Sequence, residues 1–265
     1  MLQGILKKIG LQKIPNQHPG PQEFEDAYIR CKPNTMTSRE RMAALWSAMD
    51  WLNSNHIKGA FLECGVWKGG SSMLAAENCR LHPQLRRNFY LYDTFEGMSQ
   101  PDEIDKDFRG QTAETLMQNA LSKKKTSNIW AVGSVEVVRN NMLESGLAPE
   151  QTQLIKGMVE DTIQPDSGPQ KIALLRLDTD WYQSTKHELN QLFHRIVPGG
   201  FLIIDDYGHW NGCKQAVDEF FSDHSPSPFF HRIDYTGIIM QRQMNPDAGS
   251  SFLRATAPSA QPTAS

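Results

Sequence analysis

The side chains with the most chemistry to offer are four aspartates, Asp178, Asp180, Asp205 and Asp206. The first two follow the apolar run Ile172–Leu177, and the second two follow Phe201–Ile204. A helix-like segment closed by Pro198-Gly199-Gly200 lies between the runs. Strand, helix and strand in this length make a βαβ unit with parallel strands. Both acid pairs then fall at the carboxyl edge of one sheet, where open α/β sheets bind ligands. Converging carboxylates repel one another, and a hard, oxygen-seeking cation, Mg²⁺ by default, is the usual remedy. A single Asp at a strand end often does no more than cap a turn or helix; four arriving together ask for more.

Three further stretches carry ligand-binding types. Glu63-Cys64-Gly65-Val66-Trp67-Lys68-Gly69-Gly70-Ser71-Ser72 runs from a strand through glycines to a helix start. Glycines let a ligand approach the backbone. The spacing is not the GxGxxG of a dinucleotide fold, and Glu63 would repel a pyrophosphate while welcoming a cation such as the ammonium of S-adenosylmethionine. Asp93 ends the next strand, where a carboxylate can accept both hydroxyl protons of a ribose. Gly157-Met158-Val159-Glu160-Asp161-Thr162 follows the third strand. There Met158 and Val159 could flank an adenine while a polar or backbone group reads its amino edge. Taken alone, each of these loops also reads as an ordinary strand exit.

These loops need a sheet to carry them. The sequence predicts strands at 59–64, 88–92, 153–156, 172–177 and 201–204, with a closing antiparallel hairpin from 230–234 and 236–242 turning around Tyr235-Thr236-Gly237. Helices are expected at 24–31, 38–53, 71–80, 113–121, 135–144 and 213–224. Met42, Leu45, Trp46, Met49 and Leu52 recur at helical spacing behind a Ser38 cap, and Ser71 or Ser72 would cap the next helix. The stretch 94–107 reads as a polar loop, and 129–132 is ambiguous. Residues 1–37 form an arm that could cover the site or pack on a neighbouring subunit in a homo-oligomer. Residues 38–244 form the domain. Residues 245–265, rich in Pro, Ala, Ser and Thr, cannot bury enough apolar surface to order themselves.

The 265 residues carry a formal net charge of −3, which disfavours a nucleic-acid partner. No run is long enough for a membrane span, and nothing at the N-terminus reads as a signal peptide. The four cysteines, Cys31, Cys64, Cys79 and Cys213, lack CxxC spacing, so a zinc site or dithiol is not expected. Scattered thiols fit a reducing, cytoplasmic setting.

In order along the chain, ECGVWKGG, DTFEG, GMVEDT, LRLDTDWYQST and PGGFLIIDDY resemble the motifs of the macrocin O-methyltransferase (TylF-type) family. The resemblance covers roughly residues 61–221. It implies an α/β, Rossmann-like class I methyltransferase sandwich, mostly parallel with an antiparallel C-terminal strand. It further implies a Mg²⁺-dependent methyl transfer from S-adenosylmethionine to a hydroxyl of a small molecule, usually a sugar on a natural product. Metal ligation is carried onto Asp178, Asp205 and Asp206, with Asp180 behind them or on substrate. Thr179, where Gly is commoner in the family, and Trp181 leave the acceptor open. Cofactor-binding candidates are Glu63, Gly65, Val66, Trp67, Gly69 and Ser71 in the first loop, Asp93 in the second, and Met158 and Glu160 in the third. A neutral alcohol is a poor nucleophile. Mg²⁺ would lower its pKa and a carboxylate would take the proton, with Asp178 the first candidate and Asp180 next. Among histidines, His209 is favoured over His187 and His231. The competing readings are a catechol- or phenol-type O-methyltransferase, a non-catalytic S-adenosylmethionine-binding protein, and an NAD-dependent oxidoreductase on a similar sheet. The lid-like stretches that would set specificity are 1–34 and 99–126.

Overall fold

Every residue of Ala60–Cys64 (β1) and of Ile172–Leu177 (β4) is buried, as expected of parallel strands covered on both faces. The computed structural model describes residues 21–122 and 131–243; expectations for 1–20, 129–130 and 245–265 lie outside them. Around β1 and β4 are Phe89–Asp93 (β2), Thr152–Lys156 (β3), Ile196–Ile204 (β5), His231–Arg232 (β6) and Ile238–Gln241 (β7). The order is β3-β2-β1-β4-β5-β7-β6. β1 to β5 are parallel, β7 is antiparallel to β5, and β6 is antiparallel to β7. The chain reverses its direction of travel across the sheet between β1 and β4, and that switch point opens a crevice at the strands' carboxyl ends.

Alternate side chains feed two cores. Phe61, Phe89, Leu91, Leu174 and Ile203 pack toward helices Gln22–Cys31 (α1), Arg39–Ser54 (α2), Gly70–Arg80 (α3) and, beyond Ala113–Ser122 (α4), Val135–Glu144 (α5). Leu62, Leu175, Leu177, Leu202 and Ile204 pack toward α4, Val159–Thr162 (α6), Tyr182–Leu192 (α7) and Asn211–Ser222 (α8). The described part of the arm belongs to the first core: Phe24, Ala27 and Cys31 are buried on α1, and Phe24 meets Trp46 edge-on at 5.9 Å. The four thiols are buried and unpaired. Among the described residues, no helix is long and apolar enough to cross a membrane.

Some expectations needed correction. Pro198-Gly199-Gly200 does not close a helix but lies inside β5. Ile172 pairs with Ile196 and Leu174 with Phe201, so the segment bulges away from β4. The Gly199 N–H and Gly200 carbonyl bond to Arg242 instead. Ser38 caps α2 by accepting from the Arg41 N–H at 3.1 Å, but neither Ser71 nor Ser72 caps α3. Gly69 does so in a left-handed conformation, φ 85°, because the Ser72 hydroxyl is committed to Glu63. The loop after β3 contains the single turn α6. β6 is only two residues long.

Candidate active site

β4 and β5 are adjacent and parallel, so the residues that follow them meet. One carboxylate oxygen from each of Asp178, Asp205 and Asp206 lies within 4.8 Å of the others. Strand pairing continues to this point: Asp178 N–H donates to Cys64 O and Asp205 N–H to Leu177 O. Asp180 adopts φ 70°, a conformation costly for an L-residue and concentrated at functional sites. Its turn is held by the Thr179 hydroxyl on Glu188 (3.0 and 3.1 Å to the two oxygens), the Tyr182 N–H on Asp105 Oδ1 (2.9 Å) and the Trp181 indole on Ser99 O (3.1 Å). Burial, then the neighbouring carboxylates, pushes Asp178 and Asp206 well above the usual carboxylate range and Asp180 to about 7. Asp206 Oδ2 is buried without a hydrogen-bond partner.

Two arginines that the motifs did not single out hold this cluster together. Arg176, 2 % exposed on β4, donates to Glu63 Oε1 (2.6 Å), Asp178 Oδ2 (2.7 Å), Thr37 Oγ1 (2.9 Å) and Asp205 Oδ1. Burial alone would lower its pKa, but Asp178, Asp205 and Glu63 outweigh that and keep it charged. Arg41, in the first turn of α2, donates to Asp205 Oδ2 and, at 3.0 Å, to Asp234 Oδ2. A charged residue inside the apolar run LLRLD was a visible signal for Arg176; its partners were not. Glu188, 0 % exposed, is a further buried acid outside the motif reading.

Glu63 is placed beneath the glycine-rich loop. It shares the face of Phe61 on β1, is 1 % exposed, and is bonded through one oxygen to Arg176 and through the other to the Ser72 hydroxyl. There it serves as a counter-ion of Arg176.

Two clefts meet at Asp178 and Asp180. The first, about 690 Å³ of empty space open to solvent, is bounded by Gly65, Trp67, Asp93, Met158 and Glu160. Gly65 has φ 80°, and a Cβ there would stand 2.0 Å from Asp178 O, so only glycine fits. Asp93 ties the loop down: Oδ2 accepts from Val66 N (2.6 Å) and Trp67 N (3.0 Å), and Oδ1 from Phe95 N (2.6 Å). The single hydroxyl proton of Thr94 goes to Gly97 O at 2.5 Å, so Oδ1 keeps an acceptor position for a ligand hydroxyl. Glu160 Oε2 is buried without a partner. Val66 and Ser71 border the second cleft rather than the first, and Gly69 serves as the α3 cap.

The second cleft, about 1020 Å³, brings all four aspartates together with Arg41, His209, Trp210, Tyr235 and the 34–37 segment. At its mouth, His209 lies 5.5 Å from Phe108, 4.8 Å from Trp210 and 6.0 Å from Tyr235 between ring centroids. Phe108 and Tyr235 are 53 % and 60 % exposed. Burial lowers the His209 pKa, favouring its neutral form. The other two histidines lie elsewhere: His187 contacts Ile163 O at 2.9 Å, and His231 is exposed on β6.

The profile of the Macrocin-O-methyltransferase (TylF) family matches residues 25–242. The chain is 32% identical over 206 residues to the 8-demethyl-8-(2,3-dimethoxy-alpha-L-rhamnosyl)-tetracenomycin-C 4'-O-methyltransferase of Streptomyces olivaceus, covering 78% of this chain and 74% of that one. It is 30% identical over 210 residues to the mycinamicin III 3''-O-methyltransferase of Micromonospora griseorubida, covering 79% and 78%. The solved O-methyltransferase NovP matches with a TM-score of 0.66 at 30% identity, covering 79% of this chain and 82% of that one. A match running from α1 through β7, with the aspartates at the sheet's switch point, means that the chain belongs to the macrocin O-methyltransferase (TylF) family and is an S-adenosylmethionine-dependent O-methyltransferase.

Proposed function

We propose that the enzyme methylates a hydroxyl of a sugar on a small natural product, with a Mg²⁺ held by Asp178, Asp205 and Asp206. The observation that carries this reading is the meeting of three carboxylates within 4.8 Å on the second cleft, with Asp178 bordering the first as well. The donor set fits a hard cation: it is all oxygen, and Asp206 Oδ2 is buried without a partner. When bound, Mg²⁺ lowers the pKa of an acceptor hydroxyl and orients it. When bound, S-adenosylmethionine supplies a methyl on a positively charged sulfur that leaves as a neutral thioether.

The first cleft takes the donor. Asp93 Oδ1 accepts from a ribose hydroxyl, Glu160 Oε2 from the adenine amino group, and Met158 packs on the ring. The Gly65 to Trp67 backbone lies against the rest of the molecule. In the second cleft the acceptor ring rests against Trp210, His209 and Tyr235, and its hydroxyl faces the aspartates. Asp180 takes the proton. It borders both clefts and makes no ion pair among the described residues, whereas Asp178 is engaged by Arg176 at 2.7 Å. This ranks Asp180 ahead of Asp178 and His209 as base. The tetracenomycin relative is named for methylation of a rhamnosyl compound, which supports a sugar over a catechol.

The test is an acceptor panel of deoxysugar glycosides and catechols, scored by S-adenosylhomocysteine release in EDTA, Mg²⁺ or Ca²⁺. Glycosides turning over with Mg²⁺ and stalling in EDTA are expected. Turnover of catechols alone would reject the sugar reading, and full activity in EDTA after dialysis would reject the metal.

A further inference from the structure

Asp205 differs from the other two aspartates of the cluster: both of its oxygens already face a guanidinium, Oδ1 that of Arg176 and Oδ2 that of Arg41. The two arginines are not equivalent. Arg176 is 2 % exposed and fixed by Glu63, Asp178 and Thr37 as well. Arg41 borders the acceptor cleft, and its side chain is 12% exposed. Its Nε has anchors independent of Asp205, namely Asp234 Oδ2 at 3.0 Å and Ser38 Oγ at 3.2 Å. Asp234 is itself fixed by Ser38 Oγ (2.7 Å), Thr236 N (2.9 Å) and Gly237 N (2.8 Å). The Arg41 tip can therefore leave Asp205 while its Nε stays docked on the β6–β7 turn.

We infer that Arg41 is a positioning residue that stands in for the divalent cation on Asp205 and sets the concentration at which that cation binds. The inference rests on the metal reading above. In the cation-free protein the guanidinium neutralises one of three crowded carboxylates. A divalent cation arriving at Asp178, Asp205 and Asp206 meets a positive charge already on one of its ligands, and like charges a few ångströms apart in a buried site repel strongly. The cation must displace the Arg41 tip from Asp205 Oδ2 or share the carboxylate with it; in either case Arg41 weakens its binding. The residue is supplied by α2, outside every motif that holds the acids, so cation affinity is controlled by a segment that carries no metal ligand.

Mn²⁺ binding to the full-length, unliganded protein tests this without any turnover, by calorimetry or by loss of the free-ion electron paramagnetic resonance signal. Arg41→Met should bind Mn²⁺ roughly tenfold tighter or more than wild type, and Arg41→Gln, which keeps a hydrogen bond but no charge, should also bind tighter. Without cation, Arg41→Met should melt below wild type, and saturating Mn²⁺ should narrow that gap. A purely structural role predicts a gap that Mn²⁺ leaves unchanged. Equal or weaker Mn²⁺ binding in both folded variants would overturn the inference, since it would make Arg41 an orienter of Asp205 rather than a competitor. Asp206→Asn separates the two levels of argument. If it binds Mn²⁺ as well as wild type does, the metal reading fails and the Arg41 inference falls with it. If it abolishes binding while Arg41→Met does not tighten it, only the Arg41 inference fails. Should Arg41→Met not fold, Arg41→Gln alone decides.

Discussion

The clefts proposed for the donor and for the acceptor share Asp178 and Asp180 but are assembled differently. The proposed donor half is made largely of loops that follow β1, β2, β3 and β4, and the bonds that hold it are backbone-directed and run within or between neighbouring strand exits, such as Val66 N, Trp67 N and Phe95 N to Asp93. The proposed acceptor half shares the β1 and β4 exits and adds segments far apart in the chain: the 34–37 segment, Arg41, the β5 exit and the β6–β7 hairpin. Arg41 and Asp205 are separated by 164 residues. A half built from strand exits inherits its geometry from the sheet. A half that draws on remote side chains depends on how those segments pack.

The comparison predicts separable failures. The largest effect belongs to the acids of the acceptor half. Asp206→Asn and Asp178→Asn should each lower turnover about 100-fold or more while the S-adenosylmethionine Kd moves by less than about threefold, because each removes a charge and a ligand from a proposed hard-cation site. Rapid-quench turnover beside calorimetric Kd measures both quantities; a matching rise in Kd would mean that the halves are not independent.

Next comes the residue that joins them. Arg176→Met leaves the buried Glu63 and Asp205 and the part-exposed Asp178 without their common partner, which should cost about 3–5 kcal/mol of stability. Urea unfolding with the linear extrapolation reads this directly. A loss below about 1 kcal/mol would show that the cluster redistributes its protons cheaply.

The donor half should break in the opposite sense from the acids. Asp93→Ala and Glu160→Ala each remove a charged hydrogen-bond acceptor and should weaken S-adenosylmethionine binding by about 1.5–3 kcal/mol, with kcat at saturating donor within a few-fold of wild type. Normal donor affinity in both would relocate the donor. The smallest effect is at the aromatic mouth. Phe108→Ala and Tyr235→Ala should raise the acceptor KM by an amount corresponding to about 0.5–1.5 kcal/mol, leaving the donor Kd unchanged. A change in donor Kd instead would show that the mouth is not confined to the acceptor half.

These differences explain what could be read in advance. Strand periodicity and the acids at strand exits were legible because sheet register and the parallel βαβ rule act on local sequence. The β5 boundary was missed because Pro198-Gly199-Gly200 reads as a stop, and only pairing with Arg242 on the far side makes it strand. A carboxylate before a glycine loop reads in sequence as available to a ligand, and the ion pair that Glu63 makes in the fold is not visible there. Its partner, Arg176, lies 113 residues away and is invisible to any local pattern.

What the sequence determined by itself, then, was the sheet, the crevice and the convergence of Asp178, Asp205 and Asp206, since alternation and chain direction leave little freedom in where strand-end residues go. What the tertiary structure decided was the charge balance of that crevice: Arg176 beneath it, Arg41 across it, Glu63 paired with Arg176 and Asp180 strained between two clefts. Buried charges take whichever partner packing brings within a few ångströms, and desolvation makes that choice matter far more than sequence proximity.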